Sequence, residues 1–283
     1  MFNSFSLLSR NSRRRIVYPL VSFVLVFSLV VGIPQVTQAR SLLDIIFQGI
    51  QIVQLSNISD RQEAAIGKQI NEQLVNNQFD LYNNSQITRY INDIGQRLAK
   101  QSQRPNITYN FQIVDDPNIN AAATMGGYIY VNRGLIAAAD NEAQLASVIA
   151  HEIGHIAARH SIQQMRQTAI ARGLAVAAGV DRNTLVNLGV ELAFKLPNSR
   201  KDELEADKLG LETLQKSGYA PSAMVEFMKK LLNSGRSAPT ILSSHPATSD
   251  RITALNQAID PAIANVGDGL NNNAYKTKIR PVL

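Results

Sequence analysis

His151-Glu152-Ile153-Gly154-His155 falls inside Leu145–Ala158, a stretch otherwise almost wholly apolar. No other feature constrains the fold as tightly. Asn141 followed by Gln144 suits a helix N-terminus, and the spacing predicts a helix over 142–165. Residues i and i+4 share a helix face, so the two imidazoles reach one point in space. Glu152 sits one residue round, placed to touch a water at that point without joining the pair. Left unpaired in a core, each of these polar groups costs roughly 1–3 kcal/mol. A divalent cation satisfies both rings and neutralises the acid, so the segment predicts a buried metal site on a core helix.

This is the HExxH arrangement of zinc peptidases, with His151 and His155 as ligands and Glu152 as the catalytic base. A catalytic zinc takes three protein ligands and keeps a fourth position open, so a third ligand has to come from elsewhere. His160 is five residues past His155, which in a continuous helix turns it away from the ligand face; a surface or capping role is expected for it. The metzincin extension needs Gly at 158 and His at 161, and Ala158 and Ser161 exclude it. Ser199–Asp207 carries Glu203 and Asp207 at i,i+4, so one carboxylate can ligate while the other accepts an N–H from a ligand His. Taken alone, the same acids also suit an ordinary charged helix start. Glu205 points elsewhere and is expected in solvent.

HEIGHIAARH at 151–160, SRKDELEADKLG at 199–210 and SHPATSDRITAL at 244–255 stand in that order along the chain. Together they resemble metallopeptidase family forty-eight, which includes the CAAX prenyl proteases, the membrane protease HtpX and soluble periplasmic relatives. The similarity spans about residues 60–260, and the chain looks like the compact soluble, extracytoplasmic branch. The resemblance implies a gluzincin-type zinc peptidase domain holding one Zn2+ per chain, with Glu203 as third ligand and Asp207 as the acid behind a ligand His. It implies a role for His245, which Pro246 forces toward extended backbone and onto a loop. His245 either donates to the oxyanion or occupies the fourth metal position as a latch. Arg251 is expected to anchor that loop to an acid. Asn120-Ala121 resembles the family's Asn-Ala segment, implying substrate binding by Asn120; the usual aromatic after that pair is replaced by Ala122 and Ala123.

The remaining sequence frames this centre. Arg13-Arg14-Arg15, the apolar run Ile16–Ile33 and Thr37-Gln38-Ala39 read as an export signal cut after Ala39 or, uncut, as a membrane anchor. Ser12–Val17 also resembles a twin-arginine signal. Residues 1–39 hold four Arg and no acid, and the remaining 24 basic and 22 acidic residues leave a net of +2. So balanced a chain is a poor binder of polyanions, and nucleic acid is not an expected partner. With no Cys, a disulfide framework and a thiolate nucleophile are excluded.

Residues 40–58 suit an amphipathic helix, 59–262 the peptidase domain, and 263–283, dominated by Asn, Gly and Asp, a flexible tail. Helices are expected over 60–76, 86–101, 168–180, 184–196, from 199 to Gly218, from Pro221 to 234, and over 248–259. Strands are expected over 108–114 and 128–131, the second able to take a substrate as an added strand. The fold class is α+β, predominantly helical, with a small sheet beside the HExxH helix. The expected activity is metalloendopeptidase action on unfolded envelope polypeptides. The alternative is a non-catalytic zinc-containing chaperone or binding module, which has no need of Glu152.

Overall fold

The computed structural model describes residues 58–172, 182–195, 198–234, 239–246 and 249–283. The export signal, nearly all of the 40–58 helix and most of the helix expected over 168–180 lie outside them. The chain runs α1 (Asp60–Asn77), α2 (Ser85–Ala99), β1 (Asn110–Val114), β2 (Ala121–Thr124), β3 (Tyr128–Asn132), α3 (Arg133–Ala138), α4 (Glu142–Ala157) and α5 (His160–Ala171). It continues through α6 (Arg182–Lys195), α7 (Arg200–Lys216), α8 (Ser222–Leu232), α9 (Ile241–Ser244), α10 (Ser249–Ala258) and α11 (Asn272–Lys278), ending in a 3-10 turn at Arg280–Val282.

Helix starts follow local chemistry. Ser59 and Gln62 form a capping box at α1, Asn141 accepts from the Gln144 amide at α4, and Ser199 accepts from the Asp202 amide at α7. These contacts satisfy N–H groups that have no partner within the helix.

The three strands form a sheet in the order β1-β3-β2, with β1 parallel and β2 antiparallel to β3. On β3, Ile129 and Val131 join a core built with α2, α4 and α8, while Tyr128 and Tyr130 face a second cluster with α1, α5 and α6. This alternation is the period of two expected of a strand. The sheet thus separates two apolar layers and carries one edge toward the HExxH helix.

Several expectations are corrected. The strand over 128–131 lies in the middle of the sheet, paired on both sides, so among the described residues the edge nearest α4 belongs to β2. Ala121–Thr124 has little β character of its own; the turn through Gly126 (φ 80°) and Gly127 (φ 87°) folds it back onto β3. The helix over 142–165 is two helices, broken where Arg159 takes the left-handed conformation at φ 59°. That conformation costs about 1–2 kcal/mol in a non-Gly residue. Hydrogen bonds from the Arg159 guanidinium to Glu63, Asp60 and the Ile58 carbonyl offset it.

The segment 263–283 is packed rather than loose. Tyr275, Ile279 and Val282 bury themselves at i, i+4 and i+7, the Tyr275 hydroxyl donates to the Ile136 carbonyl at 2.6 Å, and Lys278 reaches Glu142 at 2.9 Å. Three spaced apolar side chains outweigh a polar composition.

Candidate metal centre

Helix α4 is buried on every side from Ala143 to Ile156, and α7 crosses it at very close range. A Cβ added at Gly154 would lie 2.6 Å from the Ala206 carbonyl oxygen, and one at Gly210 would lie 3.0 Å from the His151 backbone. Glycine at these two positions lets the helices approach until Glu203 and Asp207 stand beside the two imidazoles. Among the described residues, His151, His155, Glu203 and His245 offer ligand atoms that all lie within 4.8 Å of one another, and all four side chains are buried.

Four separations inside this group are short. His155 Nε2 lies 3.0 Å from His151 Nε2 and 3.2 Å from Glu203 Oε1. His245 Nδ1 lies 3.3 Å from His151 Nε2 and 3.0 Å from Glu203 Oε1. A tetrahedron with metal–ligand bonds of ~2.0–2.1 Å has edges of about 3.3 Å. The donor set fits a cation for a second reason. His151 Nδ1 is 2.9 Å from Asp207 Oδ1, and His155 Nδ1 is 2.8 Å from His160 Nδ1. With each Nδ1–H directed outward, both Nε2 lone pairs converge on the same carboxylate, an arrangement that repels itself unless positive charge lies between.

Charge in the surroundings agrees. Glu152, Glu203 and Asp207 share the buried site with the guanidinium of Arg251. Burial works against ionisation of Glu203, but His151, His155 and His245 hold its carboxyl far below the usual range. Asp207 is likewise buried yet lowered, through Arg251 and His151. The two HExxH imidazoles are driven apart: burial opposes charge on both, yet Glu203 and Asp207 push His151 up to about 10, while burial takes His155 down to about 3. A cation held by these residues would displace the proton that the acids otherwise draw onto His151.

Glu152 is fully buried, and neither carboxylate oxygen has a hydrogen-bond partner; His245 Nε2 approaches Oε1 only to 3.5 Å. A buried carboxylate without donors is costly unless a ligand or water engages it. Glu152 faces a cleft lined also by His155, His160, Met165, Leu192 and the β2 residues Ala122 to Thr124.

Arg251 ties the centre together. It makes a bidentate pair with Asp207 at 2.6 and 2.7 Å, reaches Glu203 Oε2 at 2.5 Å, and donates to the Pro246 carbonyl at 3.0 Å. One side chain therefore spans α10, α7 and the loop that presents His245. Asn120 sits just before β2, outside the side chains lining the cleft, with its Oδ1 buried and unpartnered.

Two side chains play parts that sequence spacing did not show. His160 is not at the surface: it is 1% exposed and backs His155, because the left-handed turn at Arg159 reverses its direction. Rotation by about 140° over five helical residues would have carried it away. Asn198, which precedes the α7 cap, has its amide nitrogen 3.3 Å from His245 Nδ1 and its backbone N–H bonded to the Ser244 carbonyl at 3.0 Å. The Pro-Asn-Ser sequence signalled a helix start but not this contact.

The sequence profile of Peptidase family M48 matches residues 85–259, spanning all of these side chains. The β-barrel assembly-enhancing protease of Escherichia coli K12 is 32% identical over 220 residues, covering 72% of this chain and 45% of its own length. A putative β-barrel assembly-enhancing protease of Vibrio cholerae is 32% identical over 214 residues, covering 70% of this chain and 44% of its own. The mitochondrial metalloendopeptidase OMA1 of Arabidopsis thaliana is 35% identical over 177 residues, covering 56% and 33%. The chain thus spans less than half the length of these relatives. On the profile match, which spans more than half of its length, this chain belongs to peptidase family M48.

Proposed function

We propose that this chain is a zinc-dependent endopeptidase that cuts non-native polypeptides outside the cytoplasm. One observation carries the reading: a fully buried, donor-free Glu152 carboxylate stands beside four buried ligand atoms that all lie within 4.8 Å of one another. His151, His155 and Glu203 would hold the ion, with Asp207 and His160 fixing the two rings from behind. When bound, the ion supplies Lewis acidity toward water and toward a peptide carbonyl.

The protein groups supply the rest. Glu152 accepts the proton of the attacking water and delivers it to the leaving nitrogen, for which a carboxylate without competing donors is well placed. The edge strand β2 offers backbone groups to an extended substrate, which suits unfolded chains. His245 stands within reach of the ion that His151 and Glu203 would hold, and as a fourth ligand would keep the resting enzyme closed. When its loop lifts, the same imidazole becomes a donor to the developing oxyanion. Arg251 sets how far the loop moves.

The setting rests on the export-signal pattern at the N-terminus and on the bacterial relatives' names, which tie them to β-barrel assembly. Among the described residues, no helix is long and apolar enough to cross a membrane. The test is chelation followed by restoration, with unfolded casein as substrate. Activity should disappear with chelator and return with about one equivalent of zinc. Casein cleavage that persists after complete removal of metal would contradict the reading.

A further inference from the structure

His245 lines two separate hollows. On one side is the cleft holding Glu152, His155 and His160, which is rich in polar groups: Gln164, Asn198 and Ser161 stand on its wall. On the other side is a recess that touches the centre through His151, Asp207 and Arg251. Its remaining wall is apolar, with Val148 of α4, Met224, Phe227 and Met228 of α8, and Leu242 of α9 as main contributors.

The polar side chains at the recess are already committed. Ser147 donates to the Gln144 carbonyl at 2.7 Å, His151 Nδ1 meets Asp207, and Arg251 grips Asp207 with two hydrogen bonds. A charged side chain entering it would find no free partner and would lose its hydration. An aliphatic or aromatic one would meet polarizable methionines on a flexible wall. The recess is continuous with the ligand group, so whatever fills it sits within one residue or so of the bond being cut.

Resting on the peptidase reading, the geometry points to this recess as the selectivity pocket, which takes an apolar substrate side chain flanking the scissile bond. His245 stands between it and the Glu152 cleft, so the two hollows meet at the ligand group. Apolar residues are mostly buried in folded proteins. A requirement for one at the cut confines cleavage to unfolded segments, with no separate sensor needed.

Two measurements test this. In the first, a proteome-derived peptide library is digested by the full chain and by its Leu242→Ala and Val148→Phe variants, each checked for native circular dichroism. Leu, Met or Phe should exceed Asp at one position next to the cuts by about 10–200-fold, the range a hydrophobic pocket delivers. Leu242→Ala should move the optimum to larger side chains and Val148→Phe to smaller ones. Cuts without apolar enrichment, or a profile unmoved by both variants, would overturn the inference and leave the peptidase reading intact.

The second measurement needs no turnover. The chain has no Cys, so Leu242→Cys in a Glu152→Gln background gives a single thiol in the recess. Acetylated hexapeptides carrying Leu should slow its alkylation by iodoacetamide, and otherwise identical peptides carrying Asp should not. Equal protection by both, or none by either, overturns the assignment. If the wild type cuts no better than Glu152→Gln, the peptidase reading fails, and thiol protection alone decides whether the recess binds apolar peptides.

Discussion

His160 Nδ1 lies 2.8 Å from His155 Nδ1, on the side of the ring away from His151. Two ring nitrogens at that separation need one N–H and one lone pair. With His155 as donor, its Nε2 is free for the ion. His160→Ala should therefore weaken zinc binding by about 10–100-fold, the usual penalty for losing a group behind a ligand. Competition against a chromogenic chelator measures it. Unchanged affinity would show that the contact has no hold on the His155 tautomer.

Asp207 and Arg251 form a buried bidentate pair, both at most 3% exposed. Arg251→Leu leaves the Asp207 and Glu203 carboxylates without their guanidinium. Breaking a buried pair on one side costs about 3–5 kcal/mol. Urea melts should show a loss of that size, together with loosening of the His245 loop, which also gives up its bond at the Pro246 carbonyl. Asp207→Asn is the milder change, with an expected cost of about 10–100-fold in metal affinity. A stable Arg251→Leu protein with wild-type zinc affinity would refute the role given to the pair.

His245 brings a fourth ligand atom to 3.3 Å from His151 Nε2 and 3.0 Å from Glu203 Oε1. His245→Ala should retain zinc through His151, His155 and Glu203 and should cut short peptides faster than the wild type. Unfolded proteins, which need the oxyanion donor for efficient turnover, should gain less. A drop of roughly 100–1,000-fold on short peptides would mean that donation, not closure, dominates.

Glu142 is half-buried, and burial alone would raise its pKa. Hydrogen bonds from Tyr90, Lys278 and Tyr219 reverse this and hold the carboxyl below the ordinary glutamate range. A group lowered in the folded state stabilises above its unfolded value of about 4.3 and loses that contribution as pH falls through the folded value. The gap in melting temperature between wild type and Glu142→Gln should be full at neutral pH and shrink as the pH is taken below about 4.3. A constant gap would place the effect in packing instead.

The elements that carry chemistry were legible because their signals are local. HExxH at i,i+4, Glu203 and Asp207 at i,i+4 and the helix starts at Asn141 and Ser199 need only helix geometry. What escaped depends on tertiary context. Ala121-Ala122-Ala123 becomes a strand only because β3 is there to pair with it. His160 turns inward only because Glu63 and Asp60 hold Arg159 in a left-handed turn. The C-terminal segment packs through Tyr275, Ile279 and Val282, spaced too sparsely to stand out among Asn and Gly. Gly154 and Gly210 were visible as letters, but their function, letting α4 and α7 touch, appears only with both helices in place.

The most direct test of the account pairs two numbers on one variant, the zinc content and the casein turnover of Glu152→Gln. Glu152 is not among the four converging ligand atoms, yet it is the buried carboxylate that faces the cleft. Glu152→Gln should hold about one zinc per chain, as in the wild type, with nearly all peptidase activity gone. Zinc retained with substantial turnover would contradict the assignment of Glu152 as the base, and loss of the zinc itself would make it part of the metal centre.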